Sequence, residues 1–163
     1  MTKIRTKNGD KGMTSLIKGG RISKGSKKIS FIGDLDELNS FLGLSKIKIE
    51  DKNTAEIIYN MQKIIMHMSS CFAAGKDIGS LDITFVEKKI EKLSLNTILN
   101  ELVVPGFNES SALLDISRSI SRRAERTFIG IKGSSNYPNM MKLLNALSDL
   151  LYLTARNLGS VPN

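Results

Sequence analysis

Apolar residues recur every three or four positions along most of the chain after residue 30, the spacing that buries one face of an α-helix. Five stretches follow this period, over residues 30–45, 54–75, 83–99, 113–127 and 138–158. The clearest inward faces are Phe31, Leu35, Leu38, Leu42 and Ser45 in the first stretch and Met140, Leu143, Leu144, Leu147 and Leu151 in the last. Short connections and the lack of a strand-rich region predict an all-α fold, an up-and-down five-helix bundle preceded by a glycine-rich N-terminal loop.

The fourth stretch carries an arginine-rich segment, residues 117–126, with the sequence S-R-S-I-S-R-R-A-E-R. Four-residue spacing places Arg118, Arg122 and Arg126 in one stripe of the helix. The opposite, inward face is predicted to consist of Leu113, Ile116, Ile120, Ala124 and Thr127. Because a guanidinium matches phosphate and carboxylate oxygens two at a time, the stripe suits a polyanion or the carboxylates of a partner. A solvated helix face with Glu125 as local counter-charge is the alternative.

The second stretch contains the only histidine, His67, and the only cysteine, Cys71, four residues apart. Such a pair could begin a metal site, but the sequence has no further Cys or His to complete a soft-ligand set. We therefore interpret both as core or core-flanking residues and predict no metal site built by the protein alone.

Residues 6–25 contain five glycines and sustain neither a helical nor a strand period. They are predicted to form a loop or short hairpin, with turns at residues 8–10 and 19–20. Glycines let backbone N–H groups approach a ligand, while lysines and the hydroxyls of Thr14 and Ser15 add charge and donors, so the segment suits phosphate. It does not match the Walker pattern G-x-x-x-x-G-K-[ST]. A disordered basic arm is the alternative.

Composition and charge fit these elements. The 163 residues predict a single helical-bundle domain over 1–163, with a basic glycine-rich segment at 1–28 and the bundle at 30–160. The formal net charge of +8 lies wholly in residues 1–28, which hold nine lysines and arginines and one aspartate, whereas the remainder has fifteen basic and fifteen acidic residues. A basic segment on a neutral body indicates an anionic ligand: nucleotide, nucleic acid or acidic membrane.

Other features concern location. No apolar run approaches the roughly 20 residues of a membrane span, and the N-terminus lacks the apolar core of a secretory signal. A single cysteine excludes an internal disulfide and fits a reducing compartment. We therefore expect a cytoplasmic protein.

Two features beyond the arginine segment can meet a ligand. Residues 103–107 (V-V-P-G-F) break the helical period and leave Phe107 at the entry of the fourth helix. That ring either staples the helix start or meets a flat ligand, and the local pattern favours the staple. The fifth helix also has a polar stripe opposite its core face, formed by Asn145, Asp149, Tyr152 and Arg156, and a solvated helix surface is the alternative.

Four motifs in this order resemble one family. They are the basic Gly/Lys/Thr loop, D-E-L-N-S at residues 36–40, R-R-A-E-R at 122–126 and L-N-A-L-S-D at 144–149. The chain resembles the PduO-type ATP:cob(I)alamin adenosyltransferases from Lys3 to Arg156. The resemblance implies a five-helix bundle, usually a homotrimer, that binds ATP and a corrinoid between neighbouring subunits.

The resemblance also assigns residues. The positions that match the family's nucleotide loop, with the lysine that follows it, are Thr6, Lys7, Asn8, Gly9, Asp10, Gly12, Thr14, the adjacent Ser15, and Lys24. The arginines of R-R-A-E-R, Arg122, Arg123 and Arg126, would bind polyphosphate or bridge subunits, and Glu125 would help at the nucleotide or its Mg²⁺. The asparagine of the last motif is Asn145. An intersubunit salt bridge would join Asp36 to Arg122, and Phe107 would lie against the lower face of the corrin.

Three positions depart from the family pattern. Asn8 replaces the usual threonine, Ala146 stands where many members have arginine, and Asp115 stands where many have histidine. The first bears on one phosphate contact, and the other two bear on the corrinoid side.

The implied reaction is attack of cobalt(I) on C5′ of ATP with loss of triphosphate. Cobalt(I) is itself a strong nucleophile, so the protein must align C5′ and compensate the leaving charge rather than supply a nucleophile. Lys7, Lys24, Arg122 and Arg126 suit that task, with Asp36 as the partner of Arg122 and Mg²⁺ bridging phosphate oxygens. Expected partners are a reductase or a cobalamin-dependent acceptor enzyme, without nucleic acid or membrane. The alternatives are a nucleic-acid-binding module with a basic arm and an inert ATP-binding sensor.

Overall fold

A computed structural model describes residues 9–95, 97 and 103–159 of the chain. Five long helices account for most of these residues, and a small two-stranded sheet precedes them. In chain order the elements are β1 (Met13–Ser15), β2 (Arg21–Ser23), α1 (Lys27–Lys48), α2 (Lys52–Ala73), α3 (Ser80–Ser94), α4 (Glu109–Ile129), a 3-10 turn (Ser134–Asn136) and α5 (Pro138–Gly159). The prediction of five helices is confirmed, and within the predicted loop or short hairpin β1 and β2 form a hairpin, so the fold is mostly helical with one small sheet rather than all-α.

Local sequence signals set where the helices begin. The Asn108 side chain accepts a hydrogen bond from Ser111 N, and the Ser111 hydroxyl accepts one from Asn108 N, a reciprocal capping box at the start of α4. Asp51 caps α2 by accepting hydrogen bonds from the backbone N–H and the hydroxyl of Thr54. The bond from the Thr54 hydroxyl lowers the pKa of Asp51 below its ordinary value of 3.8. Pro138 occupies the first position of α5, where its missing N–H has no cost.

Helices α1 and α4 pack antiparallel, as the contacts at their ends show. At one end the Ser110 hydroxyl donates to the Lys48 carbonyl at 2.9 Å, and Lys48 Nζ lies 2.9 Å from Glu109 Oε1. At the other end the Lys27 ammonium reaches the end of α4, where a Cβ added to Gly130 would lie 2.9 Å from Lys27 Nζ. A lysine there interacts favourably with the negative end of the helix dipole.

Helix α3 packs against α5 in the same direction. Ahead of α3, Asp77 accepts hydrogen bonds from the first turn of α5, including Asn139 N at 2.9 Å, and beyond α3 the Thr97 hydroxyl accepts from Asn157 Nδ2 at 2.7 Å. Since α4 and α5 pack on each other and adjoin in sequence through a short connection, the direction of the chain alternates through all five helices. The predicted up-and-down topology is confirmed, with the neighbour order α2, α1, α4, α5, α3 across the bundle.

The core lies between all five helices and centres on aromatic rings. Phe31, Phe72 and Phe128 meet with ring centroids 4.9–5.9 Å apart, and Tyr137 packs against Phe72 and Phe128. The predicted inward faces of α1 and α5 are confirmed, because Phe31, Leu35, Leu38, Leu42, Ser45, Met140, Leu143, Leu144, Leu147 and Leu151 are all buried.

The predicted inward face of α4 is partly wrong. Ile120 and Ala124 are buried, but Ile116 is 45% exposed, and Leu113 and Thr127 are only partly buried. The true inward face is made of Leu114, Ser117, Ser121, Ala124 and Phe128. Serines are small enough to let neighbouring helices approach, and the Ser117 hydroxyl is satisfied by the Leu113 carbonyl within the same helix.

The hairpin is antiparallel, with Thr14 paired to Ile22. Gly19 lies in its turn at φ +114°, a conformation that suits glycine, as the Gly-Gly signal predicted. The hairpin attaches to the end of α2 through a hydrogen bond from Lys18 N to the Ala73 carbonyl at 3.1 Å. None of the helices over residues 27–94 and 109–159 is long and apolar enough to span a membrane.

Candidate functional site

The two ends of the bundle carry different candidate residues. The hairpin end holds β1 and β2 with the C-termini of α2 and α4, and the turn end holds residues 103–108 with the N-terminus of α4 and the C-terminus of α5. Candidate phosphate-binding residues therefore lie at the opposite end from the candidate aromatic, Phe107.

At the hairpin end the structure brings the glycine-rich turn and Lys24 together. Gly12 N donates to the Gly9 carbonyl at 3.2 Å, and Lys24 N donates to the Gly12 carbonyl at 2.9 Å. A Cβ added to Gly9 would lie 2.8 Å from Lys24 Nζ, so the ammonium lies directly over this glycine. Thr14 and Ser15 follow on β1. The predicted ligands Thr6, Lys7 and Asn8 lie outside the described residues.

The four arginines of α4 do not share one environment. Arg118 packs over the Tyr152 ring at 5.8 Å, and Arg122 donates to Glu125 Oε2 at 2.6 Å. Arg126 lines a different surface from these two. Each four-residue step overshoots the 3.6-residue turn by about 40°, so two steps carry Arg126 about 80° around the helix from Arg118. The single predicted stripe is therefore wrong as a description of the folded helix.

Arg123 is held by helix α1. Its Nε donates to Asp34 Oδ1 at 2.9 Å, its Nη2 contacts Glu37, and the hydrogen bond with Asp34 raises the pKa of Arg123. Asp34 also accepts from the Thr127 hydroxyl at 2.7 Å. These contacts join α4 to α1, and the role that the resemblance gave to Arg123, binding polyphosphate or bridging subunits, stays a prediction.

Arg126 is the arginine of this motif whose charge is available. Its side chain is exposed, and among the described residues its guanidinium makes no ion pair or hydrogen bond. It lies one turn before Gly130, at the hairpin end of α4. An unpaired guanidinium in this position can bind phosphate oxygens without first giving up an internal partner.

A groove runs along α4 beside α1 and joins the two ends. It has a volume of about 640 Å³, and its lining includes Pro105 and Gly106 at one end, Ile116 and Phe41 in the middle and Arg126 at the other. From Ala112 to Arg126 the groove follows α4 for about 21 Å at 1.5 Å per residue. We call this the α4–α1 groove.

A second concave surface lies on the other side of α4, with a volume of about 590 Å³. Arg118, Arg122, Asp149 and Tyr152 line it. Arg122 is thus separated from the α4–α1 groove within one chain, and its charge is partly neutralised by Glu125, whose side chain is 14% exposed.

The turn before α4 is held on both sides. Gly106 has φ +96°, and its N–H donates to Asp115 Oδ2 at 3.2 Å. Asn108 donates through Nδ2 to the Leu158 carbonyl at 2.8 Å. Phe107 lies between these anchored residues and is 59% exposed, so more than half of its surface is open to solvent, and the interpretation that it staples the helix start stays a prediction. Its ring faces solvent where a flat ligand can reach it.

Sequence reasoning missed the pair behind this turn. Asp115 is buried in α4, with 8% exposure, and both its oxygens accept from Arg156 Nη2 at 2.5 Å. Arg156 also packs over the Tyr152 ring at 5.2 Å. Both residues stand out in the sequence, Asp115 as a departure from the family pattern and Arg156 as part of the polar stripe of α5. Their pairing was not predicted, because they are 41 residues apart in the chain.

Two predicted residues lie on exposed surfaces. Asp36 is exposed on α1 in a shallow concavity with Ile65 and Met66 of α2, and Asn145 is exposed on α5. Arg122 has Glu125 as its partner within the chain, and the proposed bridge from Asp36 joins two subunits, so it stays a prediction.

His67 is not a core residue. It is exposed and its Nδ1 lies 2.7 Å from Asp82 Oδ2, which ties α2 to α3. Within residues 9–95, 97 and 103–159, no group of three or more His, Cys, Asp and Glu side chains could hold a metal ion.

Comparison with known proteins gives a consistent result. The family model described as cobalamin adenosyltransferase matches residues 4–158. The chain is 32% identical to a corrinoid adenosyltransferase of Bacillus subtilis, over 94% of this chain and 85% of that protein, and 30% identical to one of Citrobacter freundii, over 100% and 98%. A solved structure of a variant PduO-type ATP:corrinoid adenosyltransferase from Lactobacillus reuteri, complexed with cobalamin and ATP, superposes with a TM-score of 0.88 at 25% identity and covers 96% of this chain and 93% of its own.

Proposed function

The chain belongs to the cobalamin adenosyltransferase family, and on this premise we infer that it transfers the 5′-deoxyadenosyl group of ATP to cob(I)alamin. The products are adenosylcobalamin and triphosphate. The observation that best supports this function is the α4–α1 groove, which joins a turn with an exposed Phe107 to Arg126, an arginine that makes no ion pair with any other described residue. One end suits a flat, apolar macrocycle and the other suits polyphosphate.

The residues of this chain have a limited task in the reaction. The cobalt(I) of the substrate donates its electron pair to C5′ of ATP; a cobalt–carbon bond forms, and the bond from C5′ to the triphosphate oxygen breaks. The negative charge that leaves with the triphosphate requires cations fixed in advance. Arg126 and Lys24, both at the hairpin end, would supply this charge, and Lys7 belongs to the same proposal.

The nucleotide loop supplies the remaining contacts. The backbone of Gly9 and Gly12 and the hydroxyls of Thr14 and Ser15 would approach the phosphates, together with Thr6 and Asn8. Mg²⁺ would be held mainly through phosphate oxygens, since oxygen ligands from a substrate suit this ion. Glu125 is the nearby carboxylate of the motif, and Arg122 holds its Oε2 at 2.6 Å.

We propose that the complete site forms between subunits of a homotrimer. Asp36 and Asn145 are exposed on different surfaces, and Arg122 faces away from the α4–α1 groove of its own chain. In this proposal each of them would contact a neighbouring subunit rather than the nucleotide of its own chain. A bridge from Asp36 to Arg122 of the neighbour would compete with Glu125 and release that carboxylate toward Mg²⁺.

On the corrinoid side, Phe107 would pack against the lower face of the corrin and exclude the lower axial base. Removal of that base makes cobalt(II) easier to reduce to cobalt(I) by an external one-electron donor, so a reductase is the expected transient partner. A cytoplasmic location, which the single Cys71 favours, is part of the same proposal.

The test is direct. The protein is incubated with ATP, Mg²⁺ and chemically reduced cobalamin, and the visible spectrum is followed for a light-sensitive carbon–cobalt product. Lys24→Ala should lower the rate at least tenfold, whereas the matched Lys28→Ala, two residues into α1, should leave it unchanged. Nucleotide binding without product would indicate an inert sensor, and equal, strongly salt-dependent effects of both lysines on nucleic-acid binding would indicate the basic-arm alternative.

A further inference from the structure

We propose that Asp115 is a positioning residue that holds the turn bearing Phe107 in place for the corrinoid. The proposal rests on the function inferred above and deepens it, because it assigns a role to a residue where this chain differs from the family pattern.

The first observation is the geometry around the carboxylate. Asp115 Oδ2 accepts the Gly106 N–H at 3.2 Å, which is the amide immediately before Phe107 in the chain. Both carboxylate oxygens also accept from Arg156 Nη2 at 2.5 Å, and the two side chains are only 8% and 10% exposed. Charge-assisted hydrogen bonds in so buried a place are strong and directional. Asp115 is therefore a fixed point to which the turn is attached.

The same turn is also held at its other side, by Asn108. Asn108, the residue after Phe107, takes part in the capping box with Ser111 and donates to the Leu158 carbonyl. Phe107 thus has a fixed backbone on both sides and an exposed ring. An exposed aromatic ring gains little folding free energy from being held, since hydrophobic stabilisation follows buried area. The restraint is explained if the ring has to meet a ligand in one position.

The ion pair of Asp115 and Arg156 lies between helix α5 and the α4–α1 groove. Arg156 packs over the Tyr152 ring, and Arg118 packs over the same ring, at 5.2 Å and 5.8 Å. Asp115 and Gly106 both line the α4–α1 groove. The carboxylate is thus backed by α5 on one side and opens onto the proposed corrinoid end on the other.

The experiment is a double-mutant cycle between Asp115→Ala and Phe107→Ala, in full-length protein. The primary readout is the fraction of bound cob(II)alamin that lacks its lower base in the presence of ATP, measured by visible absorption and electron paramagnetic resonance. Affinity for ATP and thermal unfolding are measured in parallel. Asp82→Asn serves as the control, because Asp82 lies in the first turn of α3 and pairs with His67 of α2 rather than with the turn that bears Phe107.

Asp115→Ala should lower the base-free fraction at least fivefold, keep ATP affinity within twofold, and add nothing further when combined with Phe107→Ala. Asp115→Asn keeps an oxygen for Gly106 N–H and should give an intermediate value. If Asp115→Ala does not fold, the same cycle is run with Asp115→Asn. The control should match the wild type.

Three outcomes would overturn the proposal: a wild-type base-free fraction in the Asp115 variants, an effect that adds fully to that of Phe107→Ala, or a Phe107→Ala variant with an unchanged cob(II)alamin spectrum. In each case the wild-type enzyme still makes adenosylcobalamin from cob(I)alamin. A wild-type protein that makes no such product would instead refute the proposed function.

Discussion

The contrast between two neighbouring arginines gives the sharpest test of the site. Arg123 and Arg126 lie three residues apart on α4 and both line the α4–α1 groove, yet one is paired with Asp34 and Glu37 and the other has no partner among the described residues. We expect Arg126→Ala to affect catalysis and Arg123→Ala to affect stability.

The contacts of each arginine set the expected loss of kcat/KM and of unfolding free energy. A hydrogen-bonded contact to a charged group contributes about 1.5–3 kcal/mol, so Arg126→Ala should lower kcat/KM for ATP by about 10- to 150-fold. Its exposed side chain has no partner to lose within residues 9–95, 97 and 103–159, and the change in unfolding free energy should stay within about 0.5 kcal/mol. Arg123→Ala removes two ion pairs, but its side chain is 43% exposed and Asp34 keeps the Thr127 hydroxyl. Solvent screening limits that loss to about 1–2 kcal/mol.

Both variants are measured by urea or thermal unfolding and by the rate of carbon–cobalt bond formation at varied ATP. For a chain of this size, Arg123→Ala should lower Tm by roughly 2–8 °C and kcat/KM by less than about fivefold. Arg126→Lys should be intermediate, because it keeps the charge and loses the planar fork. A large loss of stability in Arg126→Ala, or equal catalytic losses in both alanine variants, would refute the division of roles.

Three further outcomes follow from particular contacts. Gly9→Ala should raise KM for ATP about three- to tenfold, because its added Cβ would displace the ammonium of Lys24. Gly20→Ala, whose added Cβ meets nothing within 4 Å, should leave KM unchanged. Equal effects of the two variants on KM would argue against the Lys24 contact. Phe128→Ala should reduce the free energy of unfolding by about 3–5 kcal/mol, seen as a lower urea midpoint, because its ring is fully buried. Because the pKa of Asp51 is lowered in the folded state, its carboxylate stabilises the fold above pH 3.8, and this contribution is lost as the pH falls through the folded-state pKa. The difference in urea midpoint between wild type and Asp51→Ala should therefore shrink toward pH 3. A difference that stays constant with pH would contradict this prediction.

Sequence periodicity predicted the fold well where burial follows hydrophobicity. All five residues predicted to face inward on α1, from Phe31 to Ser45, are buried. On α4 the same reasoning failed because Ser117 and Ser121 are polar by type yet buried in fact. The Ser117 hydroxyl bonds to the Leu113 carbonyl in the preceding turn, and small residues of this kind pack in the core although a period count treats them as surface.

The site was predictable in its residue types but not in its pairings. Periodicity placed the arginines on α4, yet their roles depend on partners distant in the chain, as with Arg123 and Asp34, which are 89 residues apart. Asp115 was visible only as a departure, and its contacts with Gly106 and Arg156 exist only once the turn and α5 fold against α4. Charge and helical period do not encode which opposite charge a guanidinium will meet.

The β1–β2 hairpin makes few contacts with the helical bundle, and this bears on which part of the enzyme moves when nucleotide binds. Among the described residues, none of its side chains belongs to the hydrophobic core, and it joins the end of α2 through the amide of Lys18. Such a segment opens at a small fraction of the global unfolding free energy, whereas the helices on which it rests open only with the whole molecule. We therefore expect bound nucleotide to order the hairpin, whereas the helices are already ordered without it. Amide deuterium uptake should slow on ATP addition in the hairpin and remain unchanged along α1.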